Sequence, residues 1–365
     1  MKVAIRVDAS VNIGTGHVMR CLTLAECLKD KGADVYFISR VLDGDLTYFI
    51  EEKGFKCKVL DKPAIEVTLS EDDPVHAKWL EVSWLDDALE TSNYLLKDKV
   101  DWLVIDHYGI DSRWHGQVRN LIESILVIDD LADRKLDCNM LLDQNFYLNI
   151  TERYSHLVSK SCECLLGPEY SLLRKEFIDN TLLKSCDGLS EIKRLFVFMG
   201  GADTTNETEK ILRAVEQINE PILKIDVVVS SVNTQANMIQ KICASRENID
   251  FHCDITNISE LMQNADIAIG AGGATTLERC YLGLPSLVIM VADNQKETTL
   301  ALHEIGALHC IGWYKDVSEN EICHVLQSYI RHPRSAAEIC RSAKEVMGVK
   351  SYSGVSGVVN KMLGY

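Results

Sequence analysis

One pattern opens this chain twice. At the N-terminus a β-branched, alternating run from Lys2 to Asp8 meets a glycine turn, Asn12-Ile-Gly-Thr-Gly-His17. Helical periodicity follows from Val18 to Lys31, with Cys21, Leu22, Leu24, Ala25 and Leu28 at the apolar positions. At Arg194 the pattern restarts: an apolar strand over 195–200, Gly201, a polar turn, then a helix from about Asn206. Strands that read apolar throughout are those buried on both faces of a parallel sheet. The spacing predicts further strands over 35–39, 102–106 and 125–130 in the first half, and over 224–230, 248–253, 265–270 and 286–290 in the second. A chain of 365 residues exceeds the ~250–300 at which single cores stop growing. The expected fold is therefore α/β, with two Rossmann-like domains facing a cleft. The first domain is expected over 1–165 and the second over 190–345, with a tail or helix over 346–365. The acidic, irregular stretch from Asp61 to Glu90 reads as a loop or insertion plus a helix.

Charge narrows the partners. There are 38 Lys and Arg against 54 Asp and Glu, a net −16, which argues against nucleic acid or an anionic membrane. A small anion held by backbone amides remains compatible. The opening segment lacks the apolar core of a signal peptide, and no run of ~18 apolar residues occurs. The 13 cysteines are odd in number and scattered, with Cys162-x-Cys164 as the close pair. They read as free thiols of a cytoplasmic protein, and no ligand spacing points to a metal.

In open parallel sheets, ligands bind beyond the carboxyl ends of the strands. The glycine turns lie there. Gly14 and Gly16 allow close backbone approach to a ligand, but Met19 replaces the third glycine of a dinucleotide fingerprint, so no nicotinamide cofactor is expected. His17 follows on the same loop, where a neutral imidazole could serve as a base; a capping or packing role is the plain alternative. Gly200 and Gly201 precede the second helix start, and Gly272, Gly273, Thr275 and Thr276 precede another. Both suit a diphosphate held by N–H groups, although either could be a tight turn alone. Glu278, early in the latter helix, could accept ribose hydroxyls. Asn294 and Gln295 follow a strand and offer donors and acceptors for a sugar, or a helix cap. Asp106 and Tyr108 end another strand and could face the ligand, whereas Asp129-Asp130 reads as structural.

The block Arg6 to Cys21 (R-x-D-x-S-x-x-I-G-T-G-H-x-x-R-C) resembles the N-terminal signature of the PseG family, the UDP-2,4-diacetamido-2,4,6-trideoxy-β-L-altropyranose hydrolases of pseudaminic acid biosynthesis. So do I-D-H-Y-G (105–109), L-L-D-Q-N (141–145), G-P-E-Y-S-L-L-R (167–174), M-G-G-A-D-x-x-N (199–206), G-A-G-G-A-T-T-L-E (270–278) and A-D-N-Q (292–295). The resemblance spans roughly residues 1–310, and the second half is also similar to the lipid II-forming N-acetylglucosaminyltransferase. It implies a GT-B fold, a cytoplasmic enzyme without cofactor or metal, and inverting hydrolysis of a UDP-sugar. By motif, His17 would be the general base, Glu278 the ribose ligand and the Gly272–Thr276 loop the diphosphate site. Tyr108 and Asn294 would lie near the reacting sugar. A monomer is expected. A glycosyltransferase, or a hydrolase for another UDP-diacetamido sugar, stays open as the alternative.

Overall fold

The computed structural model describes residues 1–63, 67–178, 183–218, 223–348 and 354–364. The chain divides into two compact units. The first comprises Met1–Asn145, Asn149–Leu172 and Ser353–Tyr365; the second comprises Phe146–Leu148 and Leu173–Tyr352. The division thus falls a few residues beyond the expected limit at 165. The last helix, Gly354–Leu363, belongs to the first unit.

The first unit is built on a seven-stranded parallel sheet. Its strands are β1 (Lys2–Val7), β2 (Asp34–Arg40), β3 (Lys56–Leu60), β4 (Val100–Asp106), β5 (Ile122–Ile128), β6 (Met140–Asp143) and β7 (Glu163–Leu166). They lie in the order β3-β2-β1-β4-β5-β6-β7. The second unit has β8 (Arg194–Phe198), β9 (Lys224–Val229), β10 (Ile249–Cys253), β11 (Ile267–Ala271), β12 (Ser286–Met290) and β13 (His309–Trp313). Their order is β10-β9-β8-β11-β12-β13, again all parallel. In both sheets the order reverses beside the opening strand, between β1 and β4 and between β8 and β11. Such a switch point splays two neighbouring loops apart and leaves a crevice for a ligand.

Helices cover both faces of the first sheet. Helix α1 (Gly16–Asp30) buries Val18, Cys21, Leu22, Leu24, Ala25 and Leu28 on one face, and the last helix packs beside it through Val355, Val358, Val359 and Met362. The other face holds Trp114, Leu103, Ile105, Ile125, Val127 and Leu141. Fully burying each such side chain stabilises by about 1.5–3 kcal/mol.

Beneath the carboxyl ends of β1 and β2 sits a buried ionic network. Arg6 bonds Asp8 and Asp87, and Arg40 bonds Asp87 and Glu90. Trp114 Nε1 donates to Asp87 Oδ1 at 2.9 Å. Burial opposes ionisation of Asp87, but the two guanidiniums outweigh it and hold that carboxyl well below the usual range.

One expectation is corrected here. Cys186 and Cys340 form a disulfide within the second unit, joining the turn Cys186–Gly188 to the helix Pro333–Val346. The other eleven cysteines are free thiols, including Cys162 and Cys164. A pair 154 residues apart leaves no spacing signature, because the fold alone brings its members together. Among the described residues no helix is long and apolar enough to cross a membrane.

Candidate active site

The first switch point gathers His17, Asp106 and Tyr108. The β1–α1 loop turns at Gly14, whose φ of +81° favours glycine, and Gly14 N donates to Ser10 O at 2.8 Å. Helix α1 begins at Gly16, so His17 and Arg20 stand three residues apart on one side of its first turn. Both meet Asp106 at the end of β4, the strand paired with β1. His17 Nδ1 lies 2.6 Å from Asp106 Oδ1. Arg20 grips the same carboxylate in fork geometry, Nε to Oδ2 at 2.6 Å and Nη2 to Oδ1 at 2.6 Å.

Protonation follows from this geometry. Burial works against ionisation of Asp106, but the Arg20 charge, then the His17 ring and the hydrogen bonds of both, hold the carboxyl well below the usual range. An ionised carboxylate only accepts, so Nδ1 of His17 carries a proton, and in the neutral ring the free lone pair lies on Nε2. The 3.2 Å contact from Arg20 Nη2 to Nδ1 then sets donor against donor and is not a hydrogen bond. A neutral imidazole whose tautomer is fixed by a carboxylate is a general base with a defined reactive atom.

Asp106, expected to face the ligand, instead has its polar atoms engaged within the first unit. Its side chain is fully buried and its oxygens serve His17, Arg20 and Cys21. Tyr108 is also buried, and its hydroxyl donates to Asp130 Oδ1. Its ring meets His17 edge-on at 4.6 Å, so Tyr108 packs against the imidazole. Asp130 also accepts from Arg20 Nη1 and Asn145 Nδ2, each at 3.1 Å. Behind it, the Tyr154 hydroxyl lies 3.1 Å from Asp129 Oδ2 and 2.9 Å from Asp143 Oδ2. One hydroxyl proton cannot serve two carboxylates. Burial, then the charge of Asp130, push Asp143 well above the usual carboxyl range, so Asp143 holds the second proton.

One aromatic neighbour of His17 comes from the segment that carried no motif. The short helix Ala77–Leu80 presents Trp79, whose ring stacks on Tyr108 at 5.4 Å and stands edge-on to His17 at 6.2 Å. His76 flanks both Trp79 and Tyr108. A cavity of about 290 Å³ is lined by Ser10, Asn12, Lys78, Trp79 and Glu81. A tryptophan inside an acidic, irregular stretch is the sequence signal that could have marked this wall.

The second unit gathers the remaining residues at its own switch point. Gly200 and Gly201 follow β8, with Gly200 at φ +94°. Asp203 caps the helix Glu207–Glu216 through the N–H groups of Glu207 and Thr208, both at 2.9 Å. The neighbouring β11 leads into Gly272, Gly273 and the helix Thr275–Leu282. No side chain caps that helix, so its positive end is open to an anion. Gln295 packs against this loop: a Cβ at Gly272 would lie 3.2 Å from Gln295 Cβ and would clash with Thr299 Oγ1. Gln295 Oε1 accepts from Val291 N at 3.0 Å, and Asn294 beside it is exposed. Both stand in the second unit, Gln295 beside the glycine loop. Thr276 is buried and donates to Ala271 O; Thr275 is half-buried. Glu278 is buried and already paired, since Arg174 Nε and Nη2 bond its two oxygens at 2.8 and 2.9 Å. Each oxygen keeps a lone pair for a further donor.

Residues 194–348 match the glycosyltransferase family 28 C-terminal domain. The UDP-2,4-diacetamido-2,4,6-trideoxy-β-L-altropyranose hydrolase of Campylobacter jejuni is 26% identical over 308 residues, 84% of this chain and 97% of that protein. An uncharacterized protein of Methanocaldococcus jannaschii is 26% identical over 303 residues; the match covers 81% of this chain but only 57% of that protein's length. The spore coat polysaccharide biosynthesis protein SpsG of Bacillus subtilis is 22% identical, over 86% of this chain and 84% of its own. Among solved structures, Acinetobacter baumannii MurG superposes with a TM-score of 0.69 at 12% identity, covering 100% of this chain and 99% of that one. A co-structure of Staphylococcus aureus MnaA with UDP gives 0.62 at 12% identity, covering 99% and 95%. These likenesses show a two-domain α/β fold of GT-B type. The resemblance drawn from the motifs to the PseG hydrolases is carried by curated relatives along most of the chain.

Proposed function

We propose that this chain hydrolyses a UDP-linked 2,4-diacetamido-2,4,6-trideoxyhexose, with water as the nucleophile and UDP as the leaving group. The observation that carries the reading is the 2.6 Å bond from His17 Nδ1–H to a fully buried, ionised Asp106. It leaves Nε2 as a fixed base at the end of a glycine loop. The named Campylobacter relative supports the substrate class.

In this reading a water oxygen bonds the anomeric carbon while the bond to the β-phosphate oxygen breaks. The electron pair goes to UDP, and the water proton goes to Nε2 of His17. Attack opposite the leaving group inverts the anomeric centre. The uncapped helix at Thr275 and the N–H groups of Gly272 and Gly273 stabilise charge developing on the diphosphate, so a strong general acid is not required. Glu278 accepts ribose hydroxyls on the lone pairs Arg174 leaves free. The base is worth about 10²–10⁴ in rate.

The test is UDP release followed by NMR, in chelator, for wild type and His17→Ala. Turnover should fall by about 10² or more in the variant, UDP affinity should hold, and the first sugar anomer should be inverted. Unchanged turnover in a folded variant would overturn the base assignment. A second reading is favoured by the family 28 match and the MurG likeness: a glycosyltransferase in which a sugar or lipid hydroxyl replaces water. It requires sugar transfer to an added acceptor, with no free sugar when the acceptor is absent.

A further inference from the structure

The helix Thr275–Leu282 contains a charge that the proposed function leaves unused. Among the described residues four arginines are buried: Arg6, Arg40, Arg134 and Arg279. Arg6, Arg40 and Arg134 each face carboxylates. Arg279, fully buried, forms no ion pair. Its Nη1 donates to Thr275 Oγ1 at 3.1 Å, and its Nη2 donates to Thr276 Oγ1 at 3.1 Å and to Ala271 O at 2.8 Å. Its Nε has no hydrogen-bond partner. The adjacent Glu278 does not neutralise it, because consecutive helix positions point about 100° apart and Glu278 is held by Arg174.

The fold makes deliberate room for this cation. A Cβ at Gly270 would lie 2.5 Å from Arg279 Nη1 and 2.8 Å from Phe198 O, so the strand end needs glycine to admit the guanidinium. An unpaired buried cation is costly, and burial pulls Arg279 down to about 10. A structural arginine would have been supplied with a carboxylate, as the other three are. All three acceptors that Arg279 does have belong to the loop and first helical turn around Gly272 and Gly273.

We propose that Arg279 is a built-in counter-charge beneath the 270–276 loop, a positioning residue that strengthens that loop's hold on the pyrophosphate group of a nucleoside diphosphate. It acts through Thr275, Thr276 and the Ala271 carbonyl, fixing the loop and adding a full positive charge behind the open helix end. The bound anion supplies the negative charge that the protein withholds. This rests on the proposed function, which already places the diphosphate at this loop, and adds the residue that sets its affinity.

The experiment measures binding of UDP, UMP and inorganic pyrophosphate by calorimetry to wild type, Arg279→Lys and Arg279→Gln. UDP and pyrophosphate affinity should fall by roughly tenfold or more in Arg279→Gln, the effect of one unit charge a few ångströms away in a shielded site. UMP should change less, and Arg279→Lys should keep most of the charge effect. Equal losses for UDP and UMP, or unchanged UDP binding in Arg279→Gln, would overturn the proposal. Should Arg279→Gln fail to fold, Arg279→Lys still decides. The wild-type preference for UDP over UMP must survive there with the charge, and its collapse would refute the electrostatic role. Pyrophosphate binding without UDP binding in wild type would sink the UDP-sugar reading and keep this one. Binding of neither would overturn both.

Discussion

Replacing Asp106 by Asn tests the tautomer argument at its centre. The Asp106 oxygens accept three short bonds, one from His17 and two from Arg20, each 2.6 Å. An amide has one oxygen, so either orientation turns an NH2 toward Arg20. With that NH2 on the His17 side, Nδ1 becomes an acceptor, the proton moves to Nε2, and the base disappears. With the oxygen on the His17 side, the tautomer survives but a charge-assisted bond worth about 1.5–3 kcal/mol is reduced to a neutral one. The difference of about 1–1.5 kcal/mol corresponds to roughly 5–10-fold, and the wrong tautomer costs about 10⁴ in a serine protease triad. The expected fall in kcat is therefore about 10–10⁴, set by which orientation the amide takes. Arg20 still faces Asp130 at 3.1 Å, so the fold loses less than the ~3–5 kcal/mol of a wholly stranded buried charge. The assay is steady-state UDP release, with a thermal melt and UDP binding as controls. UDP affinity should stay near wild type, since the residues proposed to hold the nucleotide lie in the other unit. A folded Asp106→Asn enzyme with kcat within about threefold of wild type would refute the reasoning.

Three further outcomes are expected. Asp143 keeps a proton in the folded chain that the unfolded chain gives up above about pH 4, so this group costs stability increasingly as pH rises from there toward its folded-state pKa. Asp143→Asn imitates the protonated form, with its amide donating to Tyr154, and its Tm advantage should grow with pH; a constant offset would refute this. Reduction of Cys186–Cys340, which closes a loop across 154 residues, should cost up to about 5 kcal/mol on the chain-entropy account. A melt with and without reductant checks it, and thiol titration of the unreduced, unfolded chain should count eleven. Trp79→Ala should raise KM for the UDP-sugar by about tenfold while sparing UDP affinity, because its ring forms the cavity wall next to His17; equal KM values would remove Trp79 from the sugar site.

How much was legible in the sequence follows from burial and distance. Eight of the nine expected strands are apolar runs that are mostly buried within their sheets, and the ninth, β10, is a half-buried edge strand whose alternation still showed. The four that gave no signal are β3, β7 and β13 at sheet edges and the four-residue β6. An edge strand such as Lys56–Leu60 interleaves lysines with partly exposed residues and reads as polar coil. His17 was visible because glycines and a helix start lie next to it in sequence. The task of Asp106 was not, since a carboxylate at a strand end can face a ligand or a neighbouring helix, and its partner stands 89 residues away. Arg279 was hidden for a related reason. An arginine on a helix reads as a solvated side chain until the fold closes over it.

The last helix sets the order in which this molecule can mature. Gly354–Leu363 packs beside α1 in the first unit's core through Val355, Val358, Val359 and Met362, yet almost the whole second unit, Leu173–Tyr352, is translated before it. During synthesis the N-terminal sheet therefore waits with an uncovered apolar stripe, while the second unit folds from Leu173–Tyr352 together with Phe146–Leu148 from inside the first unit's span. A ribosome that stops short of residue 354 releases a second unit able to form and a first unit that cannot finish. Fragment complementation should accordingly succeed for the middle of the chain and require both ends together for the remainder.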